Sequence, residues 1–114
     1  MIDAEFLNEA KEKYLNNQTI NQILDRAIEL WGDKSQSMML IEEMAELIKA
    51  LCKALNRNKK DIENLHEELV DVEICLYQAK RIFKLSEEKQ NKIMIEKLNR
   101  LENKIKKYEE EEYI

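Results

Sequence analysis

The chain has no proline and a single glycine, Gly32, in 114 residues. With both backbone breakers nearly absent, turn-rich sheet architectures are disfavoured and long helices favoured. Its two cysteines, Cys52 and Cys75, lie far apart among apolar neighbours. That excludes a disulfide scaffold and a CxxC metal site, and it suits a reducing compartment. No apolar run approaches the roughly 20 residues needed to cross a bilayer, and the first residues lack the basic-then-apolar order of a leader. A net charge of -5 removes the basic excess that a phosphate-backbone binder uses, so nucleic-acid polymers are not expected partners. These absences predict a soluble, cytoplasmic, non-exported protein with no membrane partner.

What is present is mostly Leu, Ile, Glu and Lys, with 44% hydrophobic residues, enough for one core and one domain over residues 1–114. Asp3 to about Asn16 reads as a short helix carrying Phe6, Leu7, Ala10 and Tyr14 on one side. Thr19 is the expected cap of a second helix, whose stripe of Ile20, Ile23, Leu24, Ala27, Ile28 and Trp31 is stopped by Gly32. Asp33 or Ser35 is expected to cap a third helix running to about Asn56 through Leu40, Met44, Leu47, Leu51 and Leu55. A fourth follows to about Lys84 with Ile62, Leu65, Leu69, Val72, Leu76 and Phe83. Ser86 opens a fifth, in which Met94, Leu98, Leu101, Ile105 and Tyr108 alternate the spacings of a helix–helix seam. Residues 109–114 read as an acidic, solvated tail. The expected fold is an all-α antiparallel bundle of four to five helices.

Four acids break the amphipathic pattern. At about 100° per residue, the apolar face of the third helix centres near Leu40, Leu51 and Met44. Glu43 nonetheless projects between Ala50 and Leu47, with Ala54 close by, and Glu46 lies one step round beside Met39. On the fourth helix Glu68 projects between Cys75 and Ala79, and Asp71 one step outward near Ile82. A carboxylate taken from water without a partner costs several kcal/mol, so a compensating positive charge is expected. An antiparallel hairpin brings both pairs level, since each lies roughly 12–15 Å from the connecting turn. Four oxygen donors without an adjoining His or Cys suit Mg²⁺ or Mn²⁺, and magnesium recruits substrate phosphates to complete its shell. The competing account makes them surface acids paired with lysines at i, i+4.

Glu42-Glu43-Met44-Ala45-Glu46 followed by Glu67-Glu68-Leu69-Val70-Asp71 resembles the EExxE…ExxD signature of the MazG-like nucleotide pyrophosphohydrolases, of the all-α NTP pyrophosphatase superfamily. The segment Ala27-Ile28-Glu29-Leu30-Trp31-Gly32 with Gln36 is similar to the one preceding that signature, and the likeness covers about residues 19–105. The resemblance implies a MazG-like helical domain with Glu43, Glu46, Glu68 and Asp71 as catalytic metal ligands for Mg²⁺, Mn²⁺ being the second choice. It implies a homodimer or homotetramer and hydrolysis of nucleoside triphosphates to monophosphate and pyrophosphate. Val70, Ile74 and Tyr77, a second apolar stripe on the fourth helix, independently predict an oligomer.

Candidate substrate contacts are Lys53, two turns beyond Glu46; Lys97 and Arg100, in a Lys-Leu-Asn-Arg sequence similar to a basic motif of such proteins; Trp31, for base stacking; and Gln36, for a base edge. Glu63 and His66 make an ExxH, but His66 projects about 200° from Glu68 and is set aside. The rival functions are a helical interaction module built on the 94–108 seam, and superfamily relatives acting on phosphoribosyl-ATP, dUTP or dCTP.

Overall fold

Short polar side chains set the helix boundaries. A computed structural model describes residues 3–112, and these form five α-helices without a strand: α1 Ala4–Tyr14, α2 Asn17–Trp31, α3 Asp33–Ala54, α4 Lys59–Ile82 and α5 Glu87–Glu112. Asp3 caps α1, its carboxylate accepting from the Phe6 amide at 2.7 Å. The cap of α2 is Asn16 rather than Thr19: the Asn16 side-chain oxygen accepts from the Thr19 amide at 2.8 Å, three residues earlier than expected. Neither Asp33 nor Ser35 caps α3. Gly32 serves as both the end of α2 and the cap of α3, without a side-chain bond. Its φ of 90° lies in the left-handed region that favours glycine. Asn58 caps α4 through the Asp61 amide at 3.0 Å, and the Ser86 hydroxyl accepts from Lys89 at 3.2 Å where α5 begins. The expected tail is helical through Glu112; residues 113–114 lie outside the described residues.

The chain divides into two compact units, one through Phe83 and one from Lys84. In the first, α3 and α4 share the main interface, α2 rests on both, and α1 touches α2. Buried Gln78 donates to buried Gln36 at 2.5 Å, which pairs the start of α3 with the end of α4 and makes the hairpin antiparallel. Along its length the seam is lined by small side chains: Ala50, Ala54, Val72 and Cys75 are buried, with Leu24 of α2. Small residues let the two backbones approach closely. Arg81 anchors α4 to α2 through both Asp25 oxygens, at 2.5 and 2.6 Å.

The face of α3 turned toward α4 is Gln36, Leu40, Glu43, Leu47, Ala50 and Ala54. Met44 and Leu51, expected at its centre, are exposed, as are Leu69 and Leu76 on α4 and Leu55 and Phe83 just past the ends of α3 and α4. Both helices carry more apolar surface than one neighbour covers, and the hairpin buries the small-residue stripe instead of the bulky one. The second unit is α5 alone, whose described side chains are all exposed.

Candidate metal centre

Because the buried stripe of α3 runs through Gln36, Leu40, Leu47 and Ala50, helical periodicity puts Glu43 in the middle of it. Glu68 and Asp71 occupy the same position on α4, between half-buried Leu65 and buried Val72, Cys75 and Gln78. The antiparallel register that joins Gln36 to Gln78 also brings these acids level. Glu43, Glu68 and Asp71, all half-buried, each offer a carboxylate oxygen, and the three oxygens lie within 4.8 Å of one another. Glu46 stands outside this trio and is exposed.

Burial and mutual repulsion both disfavour ionisation of the cluster. Burial pushes the Glu43 carboxyl above its ordinary range, and Asp71, Glu46 and Glu42 push it further. Glu68 is raised by burial and then by Asp71, Glu43, Glu46 and Glu67. Glu46, although outside the trio, is near enough for its charge to act on both. The Cys75 thiol is raised by burial and by the neighbouring Glu43 and Asp71. Among the described residues the ion pairs are Arg81–Asp25 and Lys106–Glu102. The i, i+4 lysine pairing that would make these acids ordinary surface charges is therefore not what the side chains do.

The donor set fits a hard divalent ion. Three carboxylate oxygens within 4.8 Å of one another are the hard donors that a divalent ion such as magnesium takes. Their half-exposure leaves room for water or phosphate in the remaining positions. His66 is exposed and has no place in the trio.

The other sequence candidates are dispersed. Trp31 is exposed and borders two surface hollows, one lined by Ile23, Arg26, Ala27, Glu29 and Leu30, the other, of about 550 Å³, by Lys34, Ser35, Met38, Met39 and Glu42. Lys34 is a cation that the sequence did not single out; its position beside Trp31 arises from the sharp α2–α3 turn at Gly32. Gln36 is buried, its carbonyl accepting from Gln78 and its amide donating to the Met39 sulfur at 3.5 Å, so both ends are engaged within the fold. Lys53 is exposed on the last turn of α3. Lys97 and Arg100 are exposed on α5, in the second unit. No family model, curated protein or solved structure matches the chain.

Proposed function

We propose that the chain is a nucleoside triphosphate pyrophosphohydrolase dependent on Mg²⁺, or on Mn²⁺ in its place, converting a ribo- or deoxynucleoside triphosphate and water to the monophosphate and pyrophosphate. The observation that carries this reading is the meeting of Glu43, Glu68 and Asp71 within 4.8 Å on the packed faces of two helices, with no basic partner among the described ion pairs. Such a cluster holds a hard cation or stands against electrostatic cost. The EExxE…ExxD resemblance supplies the reaction class.

Glu43, Glu68 and Asp71 would hold the ion, and exposed Glu46 at their edge would accept a hydrogen bond from the attacking water. A divalent cation bound there would screen phosphate charge and acidify water for attack at the α-phosphorus. Trp31 offers its ring to the base in the hollow shared with Lys34, Met38 and Met39. Lys53, exposed on the last turn of α3, is the cation proposed to offset phosphate charge. Exposed Val70, Ile74 and Tyr77 on α4 support assembly as a homodimer or homotetramer. A cytoplasmic setting, where nucleotides and magnesium are both available, agrees with this reading.

A panel of ribo- and deoxynucleoside triphosphates with phosphoribosyl-ATP, assayed for pyrophosphate with magnesium and with chelator, tests the proposal. Magnesium-dependent release from at least one substrate is expected, and preference for dUTP, dCTP or phosphoribosyl-ATP identifies the branch of the superfamily. No release from any of them, with a melting temperature indifferent to magnesium, leaves a helical interaction module as the function.

A further inference from the structure

In α5 the seam residues Met94, Leu98, Leu101, Ile105 and Tyr108 are between 49% and 69% exposed. Their alternating spacing assigns Leu98 and Ile105 to the a positions of a heptad and Met94, Leu101 and Tyr108 to the d positions. Asn91 takes the preceding a position. The flanks are sorted by sign: the g positions are Gln90, Lys97 and Lys104, and the e positions are Ile95, Glu102 and Glu109. We propose that α5 pairs in parallel and in register with α5 of a second copy of this chain, as a two-stranded coiled coil from Asn91 to Tyr108.

Charge chooses both the occupant and its direction. In a parallel pair each g side chain faces the e side chain of the partner's next heptad, so Lys97 meets the partner's Glu102 and Lys104 meets the partner's Glu109, and the same contacts repeat across the dyad. An antiparallel pair sets g against g and e against e, bringing lysine to lysine and glutamate to glutamate. The helix is thus complementary to itself in one orientation only. Asn91 selects register as well: its amide meets an identical amide across a parallel dyad, whereas any stagger faces it with an apolar residue. Ile105 at a and Leu101 at d are the combination that favours two strands. Ile95 faces the partner's Gln90, the flank pair that carries no charge, and widens the apolar seam there.

Glu102 also pairs with Lys106 of its own helix at 3.6 Å, with both side chains about two-thirds exposed. An exposed i, i+4 pair contributes little, and it leaves Glu102 open to a partner across the seam. The pairing assigns Lys97 a role in assembly, and it stands or falls independently of the hydrolase reading.

Sedimentation equilibrium on the full chain tests the proposal with two double variants, Lys97→Glu with Lys104→Glu and Glu102→Lys with Glu109→Lys. Each alone places like charges across the dyad and is expected to self-associate about tenfold or more weaker than the native chain. An equimolar mixture of the two is expected to recover native strength, with mixed dimers seen by native mass spectrometry. Direction is read separately from Glu87→Cys in a Cys52→Ser background, which oxidises to a covalent dimer when the helices are parallel. A monomeric native chain, double variants that associate as the native chain does, a mixture that fails to recover, or no covalent dimer from Glu87→Cys overturns it.

Discussion

The α3–α4 seam and α5 draw on nearly the same residue types and arrange charge in opposite ways. On α5, lysine and glutamate flank an apolar stripe and remain in water, so charge there costs little and chooses a partner. On the α3–α4 seam, Glu43, Glu68 and Asp71 lie within the packed stripe itself, half-buried, with burial and mutual repulsion raising Glu43 and Glu68. A charge beside a seam is an address, whereas a charge inside one is a cost that calls for a ligand. Glu46 shows where the boundary runs. One turn along α3 from Glu43, it is exposed and outside the trio, although its charge still reaches Glu43 and Glu68.

The largest expected difference between the two regions is in activity. Glu68→Gln or Asp71→Asn, each removing one oxyanion from the trio, is expected to lower magnesium-dependent pyrophosphate release by about 100-fold or more, while Glu46→Gln, outside it, costs markedly less. Equal losses at all three positions would erase the distinction between the trio and its rim.

Next in size is the effect of the polar pair that sets the seam's register. Gln78→Leu leaves the buried Gln36 carbonyl without its donor and is expected to destabilise the chain by roughly 1–3 kcal/mol in urea unfolding. Replacing both glutamines with leucine should recover most of that loss, because no polar atom is then stranded. A double variant as weak as the single one would show that the bond itself, and not the stranded group, is what matters.

The smallest effect is a trend with pH. Glu43 and Glu68 have folded-state values raised above the ordinary 4.5, so over the window from that value up to the raised ones the folded chain holds more protons than the unfolded chain. Stability contributed by these groups is therefore present at low pH and lost as pH rises through the window. The metal-free protein should melt at a higher temperature as pH falls from neutral toward the ordinary glutamate value of 4.5, and Glu43→Gln with Glu68→Gln should flatten the trend and raise the neutral-pH melting temperature. A melting temperature that falls over the same range in the native chain, unchanged by the double variant, would place the acids in bulk water.

Much of this arrangement was legible in the residues alone. The near absence of Pro and Gly gave the all-helical class, and the positions of Glu43 beside Leu47 and Ala50 and of Glu68 beside Cys75 followed from helical periodicity. The helix lengths either side of the turn at Asn56–Lys59 brought them level. Caps were less legible. Thr19 and Asn16 are both competent caps, and the choice depends on where the chain turns back from α1. The exposed state of Met44, Leu51, Leu69 and Leu76 was also not foreseen, because a helix with two apolar stripes does not state which one its intramolecular neighbour will take.

Sequence by itself thus determined the helices, the angular place of each acid on its own helix and the sorted flanks of α5, since all three depend on spacing along one chain at a fixed rise and rotation. Only the tertiary structure decided that Glu43 joins Glu68 and Asp71 while Glu46 stays at the rim, that Gln36 is engaged by Gln78, and that the small-residue stripe is the one buried. Those outcomes depend on how closely two backbones approach and at what rotation, which is set by packing the side chains of both helices at once.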